Sequence, residues 1–425
     1  MDRRFFLLAT AGFATTPGGV GGPVSQAPDL TPQAQMAAIT ARLGPWLASF
    51  RPKAIAAGVS AVTFDFAFQD LVIDQAVLQR DQNQPEFTKP IGDYVTRVVD
   101  GASPSLYREV TQGLGPFLKH LSRETGVAAE ILVAVWGIES GYGRTTGDHD
   151  VISALATLAV SGRRLELAEQ ELISALTILD RGLASRAHLK GSWAGAMGQT
   201  QFLPSDYLTY GVDGDGDGRC DIWGSREDAL ASTANFLKRK GHWRPGGSWA
   251  READLPANFD FSEADSDSHS LEAWLARGLR LATSQPVALS DVAEPVQLLA
   301  PAGWRGPAFF AFPNHQALRA YNNSTAYALA VGLLADALAG RPGVTRPWPK
   351  DPPLSLKDRI DAQRALTVLG FETGLIDGVI GLATRRAAKA WQKARGLPAD
   401  GYLTRDLIER LRSEAALSDA GLPTA

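Results

Sequence analysis

The chain has 425 residues, of which 45% are hydrophobic and 21% charged, with a formal charge of −4, so it is long enough for two or three domains with their own cores. The slightly acidic balance, with no long Lys/Arg run, excludes a nucleic-acid binder held by a basic surface. One cysteine, Cys220, and six scattered histidines without an H-E-x-x-H pair exclude a disulfide framework, a cysteine-based zinc site and a zinc protease helix.

Residues 1–27 read as an export signal. Met1 to Arg4 is a short basic start, and Phe5 to Ala14 is an apolar run too short to span a bilayer. Ser25-Gln26-Ala27 then has the small-x-small character of a cleavage site. Arg3-Arg4-Phe5-Phe6-Leu7 is similar to a twin-arginine signal; the general secretory route stays open beside it. No cysteine is available here for a lipid anchor. The expected mature chain is exported to the periplasm, soluble and without a transmembrane anchor.

From about residue 30 to 340 the apolar spacing is mostly helical. Ala129 to Ile138 is almost wholly apolar, with Ile131, Val135 and Ile138 on one helical face. Glu139 follows directly, and Gly141 and Gly143 end the helix. Apolar surroundings and the negative end of the helix both disfavour an ionised carboxylate, which marks Glu139 as a candidate general acid. The plainer reading is a helix that ends as it leaves the core. Gly195 to Pro204 is a glycine-containing segment that close packing alone would also explain.

Asp213 to Asp221 matches the first half of an EF-hand loop, with acidic residues at alternate positions and Gly218 in sixth place for the turn. Asp213, Asp215 and Asp217 would offer side-chain oxygens and Arg219 its carbonyl. The twelfth position is Gly224 instead of a bidentate glutamate, which leaves Glu227 or Asp228 to close the cage. A structural Ca2+ is the expected ion, and a metal-free acidic turn is the alternative.

Residues 254–270 are acidic, serine-containing and poor in apolar residues, and read as a surface loop. Val296 to Leu299 and Phe309 to Phe312 are short apolar runs flanked by Pro and Gly, which predict a small sheet. Residues 341–354, with five prolines, read as a semi-rigid linker. Residues 355–415 predict a compact three-helix module, with Asp377-Gly378 and Asp400-Gly401 turns leading into helices capped by Thr384 and Thr404. By itself it reads as an interaction module, and 416–425 as a disordered tail.

Taken together, these segments resemble a known family. Ile138 to Gly143 (I-E-S-G-Y-G) looks like the catalytic-glutamate signature of lytic transglycosylases. Gly195-Ala-Met-Gly-Gln-Thr-Gln-Phe-Leu-Pro204 resembles the substrate-cleft segment of the membrane-bound lytic murein transglycosylase B family. The acidic loop, Asp221-Ile222-Trp223, and Arg319 to Asn322 with Tyr327 to Val331 follow in that family's order. The C-terminal unit separately resembles the peptidoglycan-binding domain type 1, through D-G-x-x-G-x-x-T-R at 377–385 and Trp391-Gln392.

The resemblance implies a mainly α, lysozyme-like catalytic domain with a small β-containing part over 28–340, joined to a wall-binding module at 355–415. It implies cleavage of the MurNAc-GlcNAc β-1,4 bond of peptidoglycan glycan strands without water. Glu139 would act as acid and then as base on the muramic acid 6-hydroxyl, assisted by the substrate's own 2-acetamido group. Ser192 and Gln201 carry over as cleft hydrogen-bonding residues, and Tyr321, Asn322 and Tyr327 as the other wall, with Tyr321 holding Glu139. The tethered module would raise the effective concentration of enzyme on the wall. A hydrolytic muramidase and a silent wall-binding scaffold are the competing readings; no organic cofactor is implied, and protein partners are unspecified.

Overall fold

The structure is a computed structural model and describes residues 32–82, 89–162, 164–266, 268–283, 287–288 and 291–419. The expected export signal at 1–27 lies outside the described residues. The chain forms two compact units: the described parts of Met1–Gln84 with Val135–Phe236, and those of Pro85–Ala134 with Leu237–Ala425.

The first unit is helical. The helices Val151–Ser161 and Leu165–Asp180 lie against each other, and Pro204–Tyr210 packs on the second of them. Nearly every residue of Val151–Ser161 is buried, as its run of Ala, Leu, Ile and Val requires. Asp150 starts that helix by accepting the Ser153 N–H at 2.8 Å, while Arg186 pairs with the same carboxylate at 2.9 Å. A two-stranded ladder, β1 (His149–Asp150) and β2 (Lys190–Gly191), ties the start of this helix to the glycine-containing segment.

The second unit holds a five-stranded antiparallel sheet. Its strands are β3 (Ala250–Asp254), β4 (Ser268–Ser270), β5 (Arg280–Leu281), β6 (Pro295–Leu299) and β7 (Ala308–Ala311), in the order β4-β6-β7-β3-β5. The sheet predicted from the two apolar runs corresponds to β6 and β7. Phe310, Leu298, Val296 and Trp274 fill a core on one face. The segment 254–270, read as a surface loop, contributes to that core: Ala264 is fully buried, and Asp265 N–H bonds Leu298 O at 2.7 Å. Its serines and acids concealed this, because Asp265 also accepts the Ala300 N–H at 3.2 Å, and so its charge holds backbone.

Three helices, Leu356–Val368, Leu382–Ala394 and Arg405–Asp419, close around Trp391, Leu366, Ile408 and Leu411. The last helix runs on to Asp419, past the predicted end at 415. Ser355 and Asp358 form a capping box on the first helix. The second begins after Gly381, so Thr384 lies within its first turn, buried and accepting from Gln363 Nε2 at 3.2 Å. Thr404 does cap the third helix, through the Leu407 N–H at 3.3 Å.

Two glutamines organise the turns. Gln363 Oε1 accepts the Gly378 N–H at 2.7 Å, and Gln392 Oε1 accepts that of Gly401 at 2.7 Å, while each Nε2 reaches the neighbouring Asp377 or Asp400. The two Asp-Gly turns are thus the same device used twice.

The three-helix module rests on the sheet and on the turn beside it through several polar contacts. Arg385 donates to Asp265 at 3.0 Å, Lys389 Nζ donates to Ala264 O, and the Trp304 N–H donates to Asp400 at 2.9 Å. The residues between module and sheet are strapped down. Glu252 accepts from Thr345 N, Thr345 Oγ1 and Arg346 N, and Arg305 grips Asp351 through both oxygens at 2.9 and 2.7 Å. Trp348 stacks on Phe309 with ring centroids 6.1 Å apart. Gly303, at φ +69°, sits where a Cβ would come within 2.4 Å of Asp400 Oδ2. Gly303→Val should therefore loosen the docking, at a cost of about 1–3 kcal/mol from strain and overlap. Limited proteolysis should then cut the 341–354 strap faster; an unchanged cutting rate would contradict the docking.

Candidate active site and acidic loop

Glu139 is the penultimate residue of the helix Ala129–Ser140 and is only 6% exposed. Beyond it the chain reverses through three consecutive left-handed residues, Gly141, Tyr142 and Gly143, with φ of 59°, 63° and 79°. Two of these are glycines, which take that conformation without strain; Tyr142 takes it at a cost of about 1 kcal/mol or more. The turn is fastened on several sides. Ser140 Oγ donates to Trp136 O and accepts the Gly143 N–H, both at 3.0 Å. Thr145 N–H and Oγ1 both donate to Ser140 O, at 2.9 and 3.0 Å. The Tyr142 ring meets Trp136 edge-on at 5.6 Å.

Gln199 is the lock of this region. Its Oε1 accepts from Trp136 Nε1 at 2.8 Å and its Nε2 donates to Trp223 O at 3.1 Å. Its own N–H donates to Ile222 O at 2.8 Å. Any side chain at Gly143 would strike Gln199, whose Oε1 would be 2.6 Å from an added Cβ. Sequence reasoning passed over Gln199; the signal was a polar side chain inside an otherwise tightly packed glycine segment.

The other expected first-unit residues surround the same segment. Ser192 is buried, and its Oγ accepts the Ala194 and Ala196 N–H groups at 3.3 and 3.1 Å, so it shapes the glycine loop. Gln201 is fully buried at φ 50°, with Nε2 donating to Thr146 O and Gly198 O at 3.0 and 2.9 Å. Its Oε1 has no hydrogen-bond partner among the described residues. The remaining three expected residues belong to the second unit. Tyr321 and Tyr327 are buried and stacked, with ring centroids 6.3 Å apart and planes at 9°. Asn322 ends the helix Pro313–Tyr321, and its buried Nδ2 is likewise unmatched among the described residues.

The other buried carboxylates of the first unit each serve the scaffold. Glu169 accepts from Trp46 Nε1 and pairs with Lys53 at 2.7 Å; Glu171 accepts from Ser205 N and Oγ; Asp81 pairs with Arg164 at 3.3 Å. Asp228 holds the acidic loop.

In that loop, oxygens of Asp213, Asp215 and Asp217 lie within 4.8 Å of one another, a cluster able to hold a divalent cation. The loop is shaped by its own acids: Asp213 accepts the Gly216 and Gly218 N–H groups at 2.7 and 2.8 Å, and Asp217 that of Arg219 at 2.8 Å. Asp228, expected as a ligand, stands outside the cluster and is 1% exposed. Its two oxygens accept three backbone N–H groups, from Gly214 at 2.8 Å, Asp215 at 3.3 Å and Asp221 at 2.6 Å. A short Asp at the head of the helix Arg226–Arg239 reaches the loop backbone, which fixes the loop from within.

A buried carboxylate at the end of an apolar helix, with a glycine loop beside it in a mainly helical unit, fits the class of lysozyme-like domains. Residues 42–336 match the family model of the transglycosylase SLT domain, and residues 355–411 that of the putative peptidoglycan binding domain. The chain is 36% identical over 220 residues to membrane-bound lytic murein transglycosylase B of Escherichia coli, covering 50% of this chain and 58% of that relative's length. The structure of SltB3 from Pseudomonas aeruginosa, in complex with NAG-anhNAM-pentapeptide, superposes with a TM-score of 0.82 at 44% identity, over 87% of this chain and 99% of that one. The Escherichia coli lytic transglycosylase SLT35 in complex with calcium gives a TM-score of 0.57 at 26% identity, over 73% and 98%. The chain belongs to the lytic murein transglycosylase family and carries a C-terminal peptidoglycan-binding domain. Among the described residues no helix is long and apolar enough to cross a membrane.

The acidic loop carries its own reporter. Burial, aided by the charge of Asp228, pushes the Cys220 thiol up to about 11. The thiol should therefore react slowly with Ellman's reagent at pH 8. Asp228→Asn removes a charged acceptor for three N–H groups and should cost about 1–3 kcal/mol. Cys220 labelling should accelerate in that variant; equal labelling would show that Asp228 does not hold the loop.

Proposed function

We propose that the chain is a periplasmic lytic transglycosylase that cleaves the β-1,4 bond between MurNAc and GlcNAc in peptidoglycan and leaves a 1,6-anhydro-MurNAc end. The observation that carries this reading is Glu139: a buried carboxyl presented at the end of its helix by a fastened turn. A general acid has to carry its proton when it meets the glycosidic oxygen, and a carboxyl shielded from water is suited to that task. Glu139 donates its proton to the glycosidic oxygen as the C1–O4 bond breaks. The resulting carboxylate then takes the proton of the muramic acid 6-hydroxyl as the C1–O6 bond forms. The balance needs no water and returns Glu139 to its starting state.

Inverting and retaining hydrolases instead use a second carboxylate. In the first unit Glu169, Glu171, Asp81 and Asp228 are committed to scaffold partners, which supports the single-acid route. Gln201 Oε1 in the first unit and Asn322 Nδ2 in the second are each buried and unmatched among the described residues, and a sugar hydroxyl or acetamido group is the kind of partner each would accept. In the second unit Tyr321 and Tyr327 form a stacked aromatic pair, and in the first Ser192 holds the glycine loop. Glu139→Gln should lower wall-lytic activity by about a hundredfold or more with the fold intact. Retained activity would overturn the assignment and leave a scaffold or another acid.

For the acidic loop the ion we propose is calcium, held by side-chain oxygens of Asp213, Asp215 and Asp217 and by the Arg219 carbonyl. Hard oxygen donors on a short loop suit that ion, and its role would be to neutralise three adjacent charges. Chelation should lower the melting temperature and added calcium restore it. A melting temperature indifferent to chelator would leave the loop as an acidic turn.

A further inference from the structure

We propose that the docked C-terminal module and the turn Gly303–Arg305 together form a second saccharide-binding site, on an open groove of about 490 Å³ between them. The inference rests on the peptidoglycan reading and places one point of wall contact. Its central feature is Trp304. The indole is 46% exposed, in a chain whose other described tryptophans on the sheet and in the module core, Trp249, Trp274 and Trp391, are buried. The docking contacts use only the main chain of Trp304: its N–H binds Asp400, and its carbonyl accepts from Arg346 at 3.0 Å. The ring is therefore left to face the groove, where Leu397 and Pro398 continue the apolar surface.

The chemistry of the lining selects the ligand class. A flat, half-exposed indole next to polar side chains suits the C–H face of a pyranose, with hydroxyl and acetamido groups turned to the polar side. Arg305 and Asp351 are locked to each other, and the half-buried Tyr402 is hydrogen-bonded to Asp351, so this part of the groove is preformed. Arg405 and Asp406 at the open rim add a donor and an acceptor. The lining carries three carboxylates, Asp351, Asp400 and Asp406, against two guanidiniums, Arg305 and Arg405. That excess of negative charge disfavours an anionic stem peptide and favours the uncharged N-acetylglucosamine face of the strand. Because one wall comes from each partner, the site is complete only when the module is docked.

The test uses the full chain with Glu139→Gln, so that the wall is bound without being cut, and co-sedimentation with purified insoluble peptidoglycan. Trp304→Ala should weaken binding about tenfold, with the melting temperature unchanged because the main-chain contacts remain, and Trp304→Phe should restore most of it. In the Glu139-intact enzyme, Trp304→Ala should leave turnover of a short soluble glycan strand unaltered. A tetramer of N-acetylglucosamine should displace the fraction of binding that Trp304→Ala removes, and free stem peptide should not. Equal binding by parent and Trp304→Ala would overturn the site. Displacement by stem peptide instead of sugar would overturn the ligand class. A parent chain that fails to bind the wall at all would instead overturn the peptidoglycan reading on which the site rests.

Discussion

Three consecutive residues in the left-handed region, Gly141, Tyr142 and Gly143, set the position of Glu139. A helix carrying a carboxylate on its last turn would ordinarily fray, and the side chain would find water. Here the reversal is held by Ser140, by Thr145 and by the contact between Gly143 and Gln199, so the last turn cannot unwind. The Gln199 side chain in turn binds Trp136 one turn before Glu139 and, through Nε2, Trp223 O after the acidic loop, while the Gln199 main-chain N–H donates to Ile222 O. The acid, the glycine loop and the cation-type loop are therefore consecutive parts of one hydrogen-bonded assembly.

This linkage gives the acidic loop a mechanical meaning. Its three clustered aspartates repel one another, and the loop backbone answers with N–H groups donated to Asp213, Asp217 and Asp228. A bound cation would complete that neutralisation and stiffen the segment from which Trp223 reaches Lys190 O at 2.8 Å. In the second unit the same economy recurs: Gln363 and Gln392 satisfy their turns, and Asp400 uses one oxygen inside the module and the other to dock it. The module's place on the sheet is thus built into its fold.

Much of this was legible in sequence, for local reasons. The apolar run ending at Glu139, the glycine break, the alternating aspartates and the capped module helices are all periodicity and turn chemistry, which a single sequence displays. What escaped was non-local. Gln199 pairs with Trp136 across 63 residues, and Arg385 with Asp265 across 120, and no spacing rule connects them. The acidic stretch 254–270 carried the composition of a loop because its one fully buried apolar residue is the small Ala264, with Leu255, Phe259 and Phe261 packed only partly buried against the same core, and because Asp265 faces backbone and arginine. With Gly224 in the twelfth position, Glu227 or Asp228 was expected to close the ion cage; Asp228, at the helix start, accepts three amide N–H groups of the loop. Ser192 and Gln201 reach the cleft only through the resemblance; what the structure adds is that Ser192 Oγ accepts two N–H groups of the glycine loop and Gln201 Nε2 donates to Thr146 O and Gly198 O.

The central claim is that one buried glutamate closes a ring on the substrate with no water in the balance. Digesting purified peptidoglycan in water enriched in oxygen-18 and weighing the fragments by mass spectrometry tests it directly. The account predicts anhydro-MurNAc ends that carry no heavy oxygen. Reducing MurNAc ends bearing one oxygen-18 per cut would contradict it and make the enzyme a hydrolase.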